Sequence, residues 1–208
     1  MSKIQLSVVI PVYNEEANLA ALMTRLVPVM KGMWKRYEII LVDDGSRDNS
    51  LSLLKEFANE PFVKVVELTR NYGQHAAIMA GFSVSSGDII VTMDADLQNP
   101  PEEIPKLVSV MEDGQYDVVG SIRKGRKDSF LRIWPSKIIN MVARKITGVH
   151  MRDWGCMLRA YRRPVVERMI ACQEHSTFIP ALATVFAKRV TEIEVAHEER
   201  FGGKSNYP

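Results

Sequence analysis

"DIIVTMDADLQNPPEEIP", residues 88–105, decides how this chain is read. A β-branched, apolar run ends in two aspartates one residue apart, Asp94 and Asp96, and a proline-led helical stretch opens a few residues later. Strand, polar turn and helix in that order make the repeating unit of an α/β sheet. Two carboxylates spaced i, i+2 at a strand end point broadly the same way, and keeping both ionised is costly unless a cation sits with them. Gln98 adds an amide oxygen, so the local donors are all hard oxygens, a set suited to Mg²⁺ or Mn²⁺ shared with substrate phosphates. Aspartates also cap helices and stabilise turns, and "NPPEE" does open a helix, so the pair taken alone leaves both readings open.

The same unit recurs on either side. "LSVVIPV" (Leu6 to Val12), "YEIILVD" (Tyr37 to Asp43), "VKVVEL" (Val63 to Leu68) and "YDVVGSI" (Tyr116 to Ile122) are short apolar runs of the kind covered on both faces of a sheet. Between them, Leu19, Leu22, Leu26 and Met30 recur at helical steps after Asn14, a candidate N-cap, and Leu51, Leu54 and Phe57 do so after "DGSRDNS". Gln74 to Ser85 and Pro101 to Met111 supply two more helices. Strands alternating with helices predict a mostly parallel, Rossmann-like α/β sheet flanked by helices, and 208 residues suit one domain.

On that scaffold "PVYNE", "DDGS", "TRNYGQ", "DADLQ" and "GSIRKG" each follow a strand, so five polar clusters converge on the carboxyl edge of the sheet, where open α/β sheets bind ligands. The turn after the first strand lacks the G-x-G-x-x-G of a dinucleotide fold. "GGKS" (Gly202 to Ser205) mimics the end of a P-loop, but Glu198 stands where its earlier glycine belongs. No H-E-x-x-H or G-x-S-x-G is present.

The net charge of +2 conceals an uneven distribution: residues 121–168 carry thirteen Lys or Arg against Asp128, Asp153 and Glu167. Such a segment calls for an anionic partner, if it is not simply a solvated face. Trp34, Trp134 and Trp154 are too dispersed for a base-stacking platform, which argues against nucleic acid. Residues 128–147 mix apolar side chains with Arg132, Lys137, Arg144 and Lys145, as either a membrane-surface helix or an amphipathic helix closing the core would. Cys156 and Cys172 lack metal spacing and read as packing residues; His150, His175 and His197 form no metal-spaced cluster, and His75 suits packing or capping as well as a ligand role. No apolar run is long enough to span a bilayer and no signal peptide is seen, so the expectation is a cytosolic or peripheral chain.

"SVVIPVYNEEANL", "EIILVDDGSRDNS", "NYGQHAAIMAGF", "GDIIVTMDADLQNPPEEIPKL" and "YDVVGSIR" together resemble the family 2 glycosyltransferases of GT-A fold, in particular those that act on polyprenyl phosphates, including bactoprenol glucosyltransferases and dolichol-phosphate mannose synthases. "DWGCMLRAYRRPVVERM" with "HSTFIPALATVFAKR" most resembles the branch that transfers 4-deoxy-4-formamido-L-arabinose to undecaprenyl phosphate in lipid A modification. The resemblance runs the length of the chain. It implies a nucleotide-sugar half over 1–123, an acceptor- and membrane-facing half over 124–208, and a place on the cytoplasmic face of a bacterial inner membrane.

Position by position, the resemblance assigns Pro11, Tyr13, Glu15, Asp43 and Asp44 to the nucleotide, Asp94 to the ribose or diphosphate, and Asp96 with Gln98 to Mg²⁺ or Mn²⁺. Arg123 and Arg126, with Arg132 assisting, are similar to the arginines that receive the lipid phosphate, a role that bidentate guanidinium geometry suits. Asp153 falls near the acceptor as orienter or base, unless it is a cap or an ion-pair partner of Arg152 or Arg159. "RFGGKSNY" resembles a loop in which Arg200 and Ser205 close over the diphosphate; Asn206 stands where many relatives have lysine, which leaves Lys204 to replace it. The implied reaction is inverting transfer of a sugar, UDP-linked as the resemblance to this branch implies, to a polyprenyl phosphate. A nucleotidyltransferase and a silent nucleotide-sugar-binding module share the crevice and are the alternatives. Relatives of this type continue into transmembrane helices beyond the final loop, and oligomeric state is left open.

Overall fold

The computed structural model describes residues 3–33, 35–124, 151–172 and 178–202. Among these, seven strands form one sheet: β1 (Leu6–Val12), β2 (Tyr37–Asp43), β3 (Val63–Glu67), β4 (Ile89–Thr92), β5 (Val118–Arg123), β6 (Arg159–Arg162) and β7 (Val190–Val195), in the order β3-β2-β1-β4-β6-β5-β7. The helices are α1 (Glu16–Gly32), α2 (Ser50–Phe57), α3 (Gln74–Val84), α4 (Ile104–Asp113, preceded by a 3₁₀ turn at Pro101–Glu103), α5 (Arg163–Ala171) and α6 (Ile179–Phe186).

Strand alternation builds two cores. Val8, Ile10 and Val12 of β1 and Ile39 and Leu41 of β2 join the helical stripe Leu19, Leu22, Leu26 and Met30 and the α4 residues Ile104, Leu107 and Met111 on one face. Val9, Ile40 and Val42, the intervening residues, meet Ala77, Ile78 and Phe82 of α3, Val166 and Met169 of α5 and Ala183 of α6 on the other. A fully buried side chain of this size contributes about 1.5–3 kcal/mol, so the doubly covered strands dominate the stability. Gly81 lets α3 lie against β1, since a Cβ there would run into Cγ1 of Val9.

The sheet is mostly parallel, as expected, with one exception the sequence concealed. β6 runs antiparallel to both β4 and β5, and β7 then pairs in parallel with β5. Because β6 is reversed, it is the segment leading into it, residues 151–158, that lies at the carboxyl edge of the parallel strands. After β3 the chain crosses to the far side of β1 to lay down β4, which makes the β1/β4 boundary the switch point where such sheets hold ligands.

Two local expectations need correction. Asn14 is not the N-cap of α1: the cap position is Glu15, and Asn14 adopts φ 54° with its Oδ1 accepting from Arg47 N at 2.7 Å. Cys172 is exposed, whereas Cys156 is buried as expected. Trp34, Trp134, His150, His175 and the amphipathic stretch 128–147 lie outside the described residues.

Candidate active site

The turns after β1 and β2 are knitted together. Asn14 N donates to Ser46 Oγ at 3.0 Å, Glu15 N to Ser50 Oγ at 2.9 Å and Asn49 N to Glu16 Oε2 at 2.8 Å. Pro11 sits inside β1 in register with Val42, and Tyr13 lies at the half-buried start of this turn. Asp43, at the end of β2, is buried; its Oδ2 accepts from Ser46 N at 3.2 Å, while its Oδ1 has no partner among the described residues. Gly45 takes φ 70° two residues on, against the backbone of Arg70. Both carboxylate oxygens of Asp44 accept backbone N–H groups, from Tyr72 at 2.7 Å and Gly73 at 2.9 Å, so Asp44 fixes the loop after β3.

That loop delivers Gln74, whose Nε2 donates to Asp94 Oδ1 at 2.5 Å. The Asp94 carboxyl is pushed up to about 7, first by burial and next by the charge of Asp96, against partial relief from Arg123 and Gln74. Asp96 is buried; its Oδ1 accepts from Gln98 N at 3.0 Å and its Oδ2 from Arg200 Nη1 at 3.3 Å. Leu97 between them holds φ 63°, a left-handed conformation rare for a leucine and characteristic of functional turns.

The chain after β7 runs back over this turn as a strap. Glu198 N donates to Gln98 O at 2.8 Å, Phe201 N to Asp96 O at 3.4 Å and Asn18 Nδ2 to Gly202 O at 3.2 Å. Arg200 pairs with Glu15 as well as Asp96, and Asn18 Nδ2 donates to the other oxygen of Glu15 at 2.5 Å. Burial raises the Glu15 carboxyl, with Asn18 and Arg200 opposing. Arg25 anchors the strap further out through Glu102 at 2.8 Å and Glu198 at 2.9 Å.

On the β5/β6 side, Arg123 meets Asp153 as a two-pronged pair, Nε to Oδ2 at 2.7 Å and Nη2 to Oδ1 at 2.9 Å. Among the described contacts it is Arg123 that engages both oxygens of the Asp153 carboxylate. Arg159 is fully buried and holds the 151–158 turn through the carbonyls of Cys156 at 2.7 Å and Asp153 at 2.6 Å. Arg126, Arg132, Lys204, Ser205 and Asn206 lie outside the described residues.

The structure therefore brings Glu15, Asp94, Asp96, Gln98 and Arg200 together, with Asp43 on one side and Arg123 and Asp153 on the other. Gln74, Arg159 and the strap residue Glu198 were not anticipated. Gln74 carried the one available signal, its position in the polar cluster "TRNYGQ". Among the described residues no group of three or more His, Cys, Asp or Glu forms a ready-made metal site. The donor chemistry of Asp96 and Gln98 nonetheless fits a hard divalent cation.

The chain is similar to known proteins. The chain is 58% identical over 205 residues to the undecaprenyl-phosphate 4-deoxy-4-formamido-L-arabinose transferase of Serratia proteamaculans, covering 98% of this chain and 63% of that protein. It is 57% identical over 204 residues to the enzyme of the same name from Pseudomonas savastanoi pv. phaseolicola, covering 97% and 60%. The chain thus spans under two thirds of the length of these curated relatives. Among solved structures, glucosyl-3-phosphoglycerate synthase of Mycobacterium tuberculosis in complex with phosphoglyceric acid superposes with a TM-score of 0.67 at 18% identity, over 97% of this chain and 73% of that one. Staphylococcus aureus TarS in complex with UDP-GlcNAc gives 0.64 at 17%, over 97% and 60%. At such identities the likeness shows the fold, the GT-A arrangement expected from the sequence. The model of glycosyl transferase family 2 matches residues 7–170, and the chain belongs to that family.

Proposed function

We propose that this domain transfers a sugar, with inversion, from a UDP-linked donor to the phosphate of a polyprenyl carrier such as undecaprenyl phosphate, the donor being UDP-4-deoxy-4-formamido-L-arabinose. The observation that carries the reading is the gathering of Glu15, Asp94 and Asp96 at the β1/β4 switch point under an arginine-bearing strap. The relatives that match nearly the whole chain are named for this reaction, which supports the choice of donor and acceptor.

In this reading the pyrimidine lies against Asp43, whose buried Oδ1, without a partner among the described residues, is a natural acceptor for a base N–H. Pro11, Tyr13 and Glu15 border the nucleoside, Asp44 holds the neighbouring loop, and Asp94 lies at the ribose and diphosphate. Asp96 and Gln98 would hold Mg²⁺ or Mn²⁺; a solved relative in fold carries Mn²⁺ with UDP-glucose. Such an ion, when bound, offsets charge on the departing diphosphate. Arg200 exchanges its carboxylate partners for diphosphate oxygens, a role this proposal extends to Ser205.

The carrier's phosphate oxygen attacks the anomeric carbon, forming the new C–O bond as the bond from that carbon to the UDP oxygen breaks, and UDP leaves with the electron pair. A phosphate monoester, with its second pKa near about 6, is already largely dianionic at neutral pH, so no strong base is required. Arg123, steered by Asp153, orients that phosphate, with Arg126 and Arg132 completing its receptor. No described helix is long and apolar enough to cross a membrane. The lipid carrier places the domain at a membrane surface, on the cytoplasmic face in this proposal, where the basic segment 121–168 and the stretch 128–147 meet the headgroups.

Incubating the protein with Mn²⁺, the UDP-sugar and undecaprenyl phosphate should yield glycosyl lipid and UDP in equal amounts. Release of pyrophosphate from a nucleoside triphosphate would identify a nucleotidyltransferase instead, and UDP-sugar binding without turnover would identify a binding module.

A further inference from the structure

Two aromatic side chains that adjoin site residues in sequence carry polar atoms with no partner among the described residues. Trp154 is 2% exposed, and its Nε1–H has no hydrogen-bond partner among the described residues; neither has Nδ1 of His75. Both rings pack on Phe178, His75 edge-on at 5.5 Å between centroids and Trp154 tilted at 6.3 Å. Leaving a buried donor or acceptor unpaired costs about 1–3 kcal/mol, which a pure packing role would avoid with phenylalanine.

Their chain neighbours place them. His75 directly follows Gln74, which is bonded to Asp94, and Trp154 directly follows Asp153, which is bonded to Arg123. One ring thus adjoins in sequence a residue of the donor side of the site, the other a residue of the acceptor side, and Phe178 joins the two. Met151, Ala181 and Val190 pack around Trp154, so a polar group bound there meets a low local dielectric, which strengthens hydrogen bonds.

The chemistry of the two nitrogens is complementary to one group. An indole N–H can only donate. Burial pushes the His75 imidazole below its ordinary value, which favours the neutral ring, whose Nδ1 can accept. A planar secondary amide presents one carbonyl oxygen and one N–H. A protonated amine presents donors alone and would confront the indole with a second donor and a charge.

We propose that Trp154 and His75, backed by Phe178, form a subsite for an N-acyl substituent on the transferred sugar, the indole N–H donating to the carbonyl oxygen and the imidazole Nδ1 accepting from the amide N–H. The subsite rests on the reading of the site as a UDP-sugar pocket and deepens it by naming the group that selects the sugar. A site built to hydrogen-bond a polar group rejects analogues that lack it far more strongly than an apolar pocket does.

The test is calorimetric titration, with Mn²⁺ present, of UDP, UDP-4-deoxy-4-formamido-L-arabinose and UDP-4-amino-4-deoxy-L-arabinose into the native protein, Trp154→Phe and His75→Phe. Each substitution keeps an aromatic ring on Phe178 and removes the nitrogen. The native protein should bind the formamido donor at least about 10-fold more tightly than the amino donor. Each variant should lose about 10-fold for the formamido donor alone, with UDP affinity unchanged, which also certifies its fold. Should Trp154→Phe fail to bind UDP, His75→Phe decides the matter on its own. Equal binding of the two sugars by the native protein, or variants that keep its preference, would overturn the subsite while leaving the nucleotide pocket standing. Failure of the native protein to bind UDP at all would overturn both.

Discussion

Arg200 reaches across 104 residues of sequence to Asp96, Nη1 to Oδ2 at 3.3 Å, and the same guanidinium pairs with Glu15. The strap thus carries the cation that balances the carboxylates of the β1 and β4 turns. Removing one partner of a buried ion pair strands the other charges. Arg200→Ala should therefore cost the metal-free protein about 3 kcal/mol, seen as a lowered midpoint in urea, and Mn²⁺ should restore part of it. An unchanged midpoint would mean that the pair contributes nothing.

The raised carboxyl of Asp94 sets a pH dependence. Its folded value of about 7 stands above the ordinary 3.8, so the folded protein keeps a proton that the unfolded chain releases. Metal-free stability should fall as pH rises from about 4 to about 7 and then level off. Asp94→Asn should flatten that slope in thermal melts taken across the range. A slope that survives the substitution would assign the effect to other groups.

Gly45 closes the turn that aims Asp43 and Asp44. Its φ of 70° and a Cβ that would lie 2.5 Å from the backbone carbon of Arg70 make alanine a poor fit. Gly45→Ala should lose about 1–3 kcal/mol and weaken UDP binding. Wild-type melting and UDP affinity in that variant would show the turn to be more pliable than its geometry indicates.

Much of this was legible in the sequence, and the limits have physical causes. β1 and β2 are doubly covered and mostly hydrophobic, and their ends coincide with those read from the apolar runs. β6 reads "RAYR" and is four residues long; its burial comes from Arg159 and Tyr161, which no hydrophobic pattern reveals. β7, "VTEIEV", is a half-buried edge strand with polar alternation. Missing both hid the reversal that carries Asp153 and Trp154 to the site. The acidic pair was legible from its spacing, whereas the contacts of Arg200 and Gln74 depend on chain crossings that local sequence does not encode.

The Arg123–Asp153 pair separates acceptor from donor binding. Asp153→Ala removes the carboxylate that steers the guanidinium and should raise KM for undecaprenyl phosphate about 10-fold, or 1.4 kcal/mol, with the affinity for UDP unchanged. Equal losses for both substrates would place Asp153 in general support of the fold.

The central claim is that Asp96 and its neighbours hold a metal-bound UDP moiety. The most direct measurement is the melting temperature of the native protein and of Asp96→Ala with UDP, with Mn²⁺, and with both, since a ligand that binds only the folded state raises it. The account predicts a rise with UDP and Mn²⁺ together that exceeds either alone in the native protein and disappears in Asp96→Ala. A native protein that saturating UDP and Mn²⁺ leave unshifted, or an equal shift in the variant, would contradict it.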